Sequence, residues 1–189
     1  MKYEIEELNS SMSSLVKEQK RNMFKSFLGG MLFGFLLGAV MFAIPSAQAS
    51  DHNGEIYCLA QNIYFESGNQ PLAGKVAVAH VVINRTEHIN YPADICAVIY
   101  QAKWINNWLG NPMPIRHQCQ FSWFCDGKSD VPEDSATWMT SLKIANDVVK
   151  GAYPDITEGS THYHSDKVRP YWAESLNETV VINNHIFYK

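Results

Sequence analysis

The pattern of apolar and polar residues separates a membrane-like segment from a longer mixed region. Residues 27–44 contain no charged and no strongly polar side chain. A stretch of this length approaches the roughly 20 residues that a helix needs to cross a bilayer. The positive-inside rule then predicts a cytoplasmic tail over residues 1–26 and export of everything after the segment. The basic residues that set this orientation are Lys17, Lys20, Arg21 and Lys25.

The sequence leaves open whether the apolar segment is cleaved or retained. Ala47-Gln48-Ala49 before Ser50 has the small-x-small form of a signal-peptide cleavage site. The tail before the segment is long for a signal peptide, although a start at Met23 would shorten it. We therefore expect residues 45–54 to be a cleavage region or linker. The domain over 55–189 is then periplasmic or extracellular, either membrane-anchored or secreted.

Helical periodicity dominates the first half of the exported region. Apolar spacing predicts a helix over residues 55–66, ended by Ser67-Gly68-Asn69. Pro71 suits the first turn of a second helix through residue 85, which Tyr91-Pro92 ends. Two further helices are predicted over 94–101, with Asp94 as its cap, and over 134–150, with Gly151 just beyond.

The second half mixes irregular and strand-like patterns. Residues 102–132 are aromatic and predicted to be irregular. Alternation predicts strands over 161–164, 179–182 and 185–188, with Asn183-Asn184 turning the last two into a hairpin. The sum is an α+β domain, with a helical core and a small antiparallel β-sheet.

The charge and the cysteines of the exported region indicate which partners and which kind of cysteine site to expect. Residues 50–189 contain 15 acidic and 10 basic residues, a net charge of about −5. No basic face of the kind that nucleic-acid binders need is present, so nucleic acid is not an expected partner. All four cysteines lie in the exported region, which favours two disulfides over a zinc site built from CxxC pairs.

Glu66 is the candidate for acid chemistry. It ends the apolar run Ile63-Tyr64-Phe65 and precedes a glycine-containing break. A carboxyl group at the end of a buried helix is poorly solvated, which disfavours its charged form. Such a group can hold a proton near neutral pH, as a general acid for a glycosidic oxygen must.

Five blocks of sequence, in order, resemble the SleB/CwlJ family of cell-wall hydrolases. The first runs from Tyr64 to Pro71 and continues through Val82-Ile83-Asn84-Arg85. It departs from the family pattern at 67–70, where no second acid stands at Gln70. The other blocks are residues 95–101, 119–127, 159–164 and 168–172, so the resemblance covers roughly residues 55–188.

The resemblance implies a lysozyme-like helical core and peptidoglycan as the substrate. It assigns Glu66 as the catalytic residue of a lytic transglycosylase that cleaves the bond between N-acetylmuramic acid and N-acetylglucosamine. It brings no cofactor or metal. Plain hydrolysis would need a second carboxylate, for which Asp126 and Glu174 are the candidates.

Other residues of these motifs are candidates for substrate binding or for structure. Phe121, Trp123 and Trp172 either stack on sugars or fill the core. Within these motifs we expect Cys119 to pair with Cys125 and Cys58 with Cys96, while the sequence leaves the alternative pairings open. The remaining candidates for substrate contact are Gln120 and Ser122, on an expected extended segment, with Asp126, His162 and His164.

Two other functions compete with glycan cleavage. His162 and His164 are two residues apart and face the same side of a strand, a spacing that metal ligands also use. A metal-dependent N-acetylmuramoyl-L-alanine amidase would depend on this pair. The other alternative is a non-catalytic wall-binding protein held by the membrane, against which the complete motif around Glu66 argues.

Overall fold

This computed structural model describes residues 52–189, in which three α-helices come first and a fourth follows a β-hairpin. The first, α1 (His52–Ser67), buries Leu59, Ala60 and Ile63 completely. Its predicted end is confirmed, and it begins three residues earlier than expected. Just after the helix end, a Cβ at position 68 would collide with the Tyr64 carbonyl oxygen, so glycine is required there.

The next two predicted helices are confirmed, and both pack against α1. α2 (Leu72–Glu87) follows Pro71 directly, and its face of alanines and valines is buried. It ends before Tyr91-Pro92, because His88 already has an extended backbone. The short α3 (Ile95–Ile99) begins after Asp94, whose carboxylate accepts a hydrogen bond from the Ala97 amide at 2.7 Å. This cap satisfies an N–H group that the first turn leaves free.

The fourth helix is the other close partner of α1. α4 (Ser135–Val149) begins after Asp134, which accepts a hydrogen bond from the Thr137 amide at 2.6 Å. Gly151 lies just beyond its end with φ 71°, the left-handed conformation that glycine adopts easily. The Tyr64 hydroxyl ties the start of α4 to α1 by accepting from the Glu133 and Asp134 amides. The predicted helix is confirmed.

The prediction that residues 102–132 are irregular is wrong. Strands β1 (Ala102–Asn106) and β2 (Pro112–Cys119) form an antiparallel hairpin, followed by a 3-10 helix, Ser122–Cys125. Most residues of the hairpin are exposed. Alternation of apolar and polar residues arises when one face of a strand is buried. Neither face of this hairpin is buried, so the signal is missing.

The C-terminal sheet agrees with the sequence. β3 (His162–Ser165), β4 (Glu178–Ile182) and β5 (His185–Tyr188) form an antiparallel sheet in the order β3-β5-β4, with a 3-10 helix, Tyr171–Ser175, between β3 and β4. Asn183 turns β4 into β5 with φ 55°. One face of the sheet packs on α2 through Phe187, Ala77 and Val81. The α+β prediction is confirmed; the lysozyme-like character of the core stays a prediction.

Two disulfides join the elements. Cys58 pairs with Cys96, which links α1 to α3, and Cys119 pairs with Cys125, which closes the loop after β2. Both pairings are those expected within the sequence motifs. Among the helices over residues 52–189, none is long and apolar enough to cross a membrane. The predicted tail, the membrane segment over 27–44 and the cleavage region through residue 51 lie outside the described residues.

Candidate active site around Glu66

Glu66 is the penultimate residue of α1, and its neighbours hold this helix end in place. The Phe65 ring stacks on Trp123 with 4.9 Å between the ring centroids. Ser67 is fully buried, and its hydroxyl donates to the Ile63 carbonyl at 2.9 Å. With both neighbours fixed in the core, the partly buried Glu66 side chain starts from a rigid backbone.

Tyr163 of β3 contacts the Glu66 carboxyl directly. Its hydroxyl donates to Oε2 of Glu66 at 3.0 Å. Burial and the nearby carboxylate raise the pKa of the Tyr163 phenol well above its ordinary value, so it keeps its proton. Oε2 is therefore occupied as an acceptor. In the protonated acid the proton then sits on Oε1, which is the oxygen left for a substrate.

Arg85 of α2 supplies a buried positive charge beside this pair. Its Nε donates to the Thr161 carbonyl at 2.7 Å. The guanidinium carbon lies 5.3 Å from the Tyr91 ring centroid and 5.2 Å from that of Phe121, within the range of cation–π attraction. With the Gln120 amide oriented to satisfy both partners, its oxygen accepts from both terminal nitrogens of Arg85 at 3.0 Å.

Opposing influences set the pKa of Glu66. Loss of solvation is the largest, and it raises the pKa above the ordinary value of 4.5. The hydrogen bond from Tyr163 and the charge of Arg85 lower it by smaller amounts. The net shift is upward, as expected from the sequence. Glu66 thus retains its proton to a higher pH than an exposed glutamate does.

The two candidates for a second carboxylate have partners of their own. Asp126 accepts from the Lys128 amide at 2.8 Å and pairs with the Lys128 ammonium group. Glu174 is exposed and pairs with Arg169 at 3.5 Å. Each of these carboxylates is thus paired with a basic side chain, whereas Glu66 accepts from the neutral Tyr163 hydroxyl.

His162 and His164 lie on the same face of β3, as predicted, and both rings contact Trp172. This is the face opposite to Tyr163, because side chains alternate along a strand. Both nitrogens of each ring have polar partners in the protein: Thr161 and Tyr91 for His162, and Ser165 and Tyr188 for His164. Residues 52–189 contain no group of three or more histidine, cysteine or acidic side chains placed to hold a metal.

The aromatic candidates occupy two kinds of position. Phe121 and Trp123 are buried in the helical core, where the Trp123 indole donates to Asn62 at 3.0 Å. Their burial favours the structural alternative for both rings. Trp172 is partly exposed beside the histidines, so sugar stacking stays a prediction for it. Gln120 and Ser122 do not alternate on an extended segment, because Ser122 begins the 3-10 helix.

A cavity of about 440 Å³ lies on the far face of the C-terminal sheet, away from Glu66. His164 and Tyr188 line it together with the segment after β3. This cavity and the buried acid thus lie at different places. We assign the site from the chemistry, since Glu66 combines burial, a raised pKa and an ordered hydrogen-bond donor.

Sequence reasoning assigned no role to Arg85 and Tyr163, although both stand in the motifs of the resemblance. Tyr163 is 97 positions from Glu66 in the chain, so no local pattern connects them. The alternation of β3 carried a usable signal. If two histidines face one side, the tyrosine between them faces the other, toward the helical core.

Comparison with known proteins agrees with the fold. The catalytic domain of the germination-specific lytic transglycosylase SleB from Bacillus anthracis superposes with a TM-score of 0.55 at 24% identity, covering 76% of this chain and 98% of that one. The catalytic domain of the Bacillus cereus SleB protein gives a TM-score of 0.52 at 22% identity, covering 80% and 100%.

Sequence comparison extends the agreement. A spore cortex-lytic enzyme of Halalkalibacterium halodurans is 26% identical over 136 residues, which are 71% of this chain and 34% of the relative. The chain thus spans about a third of that relative's length. Residues 69–188 match the cell wall hydrolase family, starting three positions after Glu66. The predicted resemblance is confirmed: the chain belongs to the cell wall hydrolase family.

Proposed function

We propose that this protein degrades peptidoglycan by cleaving the bond between N-acetylmuramic acid and N-acetylglucosamine, as a lytic transglycosylase with Glu66 as its catalytic residue. One observation carries the proposal. The carboxyl of Glu66 is poorly solvated and accepts from the Tyr163 hydroxyl at Oε2, while the two candidate second carboxylates, Asp126 and Glu174, are paired with basic side chains. A single carboxyl suits a reaction that needs no second acid.

In the first step Glu66 acts as the general acid. Its Oε1–H protonates the glycosidic oxygen, and the bond from that oxygen to C1 of the muramic acid breaks. The electron pair leaves with the N-acetylglucosamine hydroxyl, and positive charge develops at C1. The hydrogen bond from Tyr163 and the charge of Arg85 stabilise the carboxylate that forms.

In the second step the same carboxylate acts as the base. It takes the proton from the C6 hydroxyl of the muramic acid, and that oxygen bonds to C1 of its own sugar. The product is a 1,6-anhydro ring, no water is consumed, and Glu66 regains its proton. The attacking hydroxyl is tethered to the reacting sugar, so its positioning costs little entropy.

We also propose an exported location. Residues 27–44 would direct the chain across the membrane with residues 50–189 on the outer side, where peptidoglycan is found. Two disulfides in the described part support an oxidising compartment. Membrane retention and cleavage after Ala49 are both compatible with this location.

The test is mass spectrometry of the fragments that residues 50–189 release from purified peptidoglycan, with and without a chelator. This piece contains the core, both disulfides and the site, and domains of similar extent have been solved as separate chains. We expect 1,6-anhydro-muramic ends in both conditions.

Other products would overturn the proposal in identifiable ways. Reducing muramic ends would mean hydrolysis, and would direct attention to Asp126 or Glu174 as a second carboxylate. Free stem peptides that disappear with chelator would mean the metal-dependent amidase. Binding to peptidoglycan without any released fragment would mean a wall-binding protein.

A further inference from the structure

The β1–β2 hairpin carries an exposed apolar surface that the proposed reaction does not use. Trp108 at the turn is 90% exposed, and four more apolar side chains on the hairpin are 46–61% exposed. These are Trp104, Ile105, Leu109 and Met113. We name the five residues the hairpin patch. Clusters of large apolar side chains on a soluble domain mark a surface that contacts another phase or molecule.

The side chains of the hairpin patch lie on both faces of the hairpin and at its turn. Trp104 lies opposite Pro114 on one face, and Ile105 lies opposite Met113 on the other. Trp108 and Leu109 occupy the turn between the strands. A sugar-stacking platform needs one flat aromatic face, whereas three of these five side chains are aliphatic or thioether chains with no ring to stack. Apolar groups on both faces and at the tip suit insertion into an apolar medium.

The backbone of the turn is already hydrogen-bonded internally. The Asn107 side-chain oxygen accepts from the Leu109 and Asn111 amides, both at 2.9 Å. The Gly110 amide donates to the Asn107 carbonyl, and the Asn107 amide donates to that of Asn111. Four amides of the turn therefore need no water. This removes much of the cost of moving the backbone into a less polar environment.

The charge of the hairpin is opposite to that of its domain. Residues 102–119 contain Lys103, Arg116 and no acidic residue, while residues 50–189 carry a net charge of about −5. Basic residues beside exposed tryptophans are typical of segments that lie in the interface of an anionic bilayer. Pro112 and Pro114 lack amide hydrogens, which hinders pairing of β2 with another copy along its edge.

We propose that the hairpin patch inserts into the headgroup region of an anionic lipid bilayer and orients the Glu66 domain at the membrane surface. Gln120, which contacts Arg85 in the site, follows β2 directly, and the Trp104 ring lies 6.0 Å from that of Phe124. The hairpin therefore projects from elements that border the site.

The test uses the full chain in vesicles of phosphatidylglycerol and brominated phosphatidylcholine, which quenches nearby tryptophan. All five tryptophans lie between residues 104 and 172, so residues 1–51 contribute no tryptophan signal. In anionic vesicles we expect the brominated lipid to quench tryptophan emission. Trp108→Phe should reduce the amount of quenched emission at least twofold, and the control Trp138→Phe should leave that amount unchanged. Replacing Lys103 and Arg116 by Gln lowers the ratio of inserted to free hairpin about fivefold for each residue.

Several results would overturn the proposal. Quenching that does not depend on Trp108 would exclude hairpin insertion. A Trp108 emission change on adding glycan strands, with no lipid quenching, would make the patch a carbohydrate surface. A concentration-dependent change without lipid would make it a contact between copies. The Glu66→Gln chain must quench like the parent, so failure of the proposed reaction leaves this test intact.

Discussion

Removing the Tyr163 hydroxyl tests how the site controls its acid. Tyr163→Phe keeps the ring against Phe187 and deletes the hydrogen bond to Oε2 of Glu66. That bond lowers the pKa of Glu66, so its loss raises the pKa further and makes Glu66 a weaker acid. Glu66 must carry its proton to act as the general acid, so activity is lost as pH rises through its pKa. The alkaline limb of the pH–rate profile therefore moves to higher pH.

The size of the rate effect follows from the strength of that bond. A hydrogen bond to a charged group contributes about 1.5–3 kcal/mol, which corresponds to about 10- to 150-fold in rate. The neutral acid already has part of this interaction, and only the increase on ionisation stabilises the transition state. We therefore expect kcat to fall about tenfold, near the lower end, with KM little changed.

The assay is the pH dependence of kcat on soluble glycan strands, followed by release of anhydro-muramic ends. Tyr188→Phe is the matched control, because its hydroxyl also contacts a buried side chain, Nε2 of His164, but on the opposite face of the sheet. We expect its alkaline limb to stay in place. An unmoved or lowered limb in Tyr163→Phe would refute the assigned role of the hydroxyl.

Two further predictions concern stability. Replacing Cys58 and Cys96 by Ala removes a crosslink between positions 38 apart. The free energy of unfolding, measured by urea titration, should fall by about 2–4 kcal/mol. Equal stability of variant and wild type, or addition of four alkyl groups to the unreduced wild type, would contradict this prediction. Burial raises the pKa of Glu66 in the folded state above its ordinary value of 4.5. The contribution of the protonated Glu66 side chain to stability is therefore fully present below pH 4.5 and is lost as pH rises through the folded-state pKa. Glu66→Gln should therefore melt higher than wild type at about pH 8, with the gap closing by about pH 4; a constant gap would argue against a desolvated carboxyl.

The helices and the C-terminal sheet were predictable because their signals are local. Asp94 and Asp134 cap helices by accepting hydrogen bonds from amides of the first turn. Gly68 and Gly151 follow helix ends at positions where another residue would clash or be strained. The hairpin was missed because its apolar residues occupy both faces and its second strand contains Pro112 and Pro114. A pattern that depends on one buried face cannot reveal a strand with none.

The candidate site was predictable only in its central residue. Glu66 has a local signal, a carboxyl at the end of an apolar helix segment. Arg85 and Tyr163 reach it from α2 and β3, which lie far from Glu66 in the sequence, and no periodicity specifies this contact. For Trp123 the motif position left sugar stacking and core packing both open, and the structure shows its indole donating to the buried Asn62.

Comparison of Glu66→Gln with the wild type tests the central claim most directly. The amide has nearly the same shape and can still accept the Tyr163 hydrogen bond, but it cannot donate the proton that the leaving oxygen needs. Release of fragments from peptidoglycan by residues 50–189 should fall at least about 100-fold, with the circular dichroism spectrum unchanged. Activity within about tenfold of the wild type, from a variant that remains folded, would remove Glu66 from the mechanism.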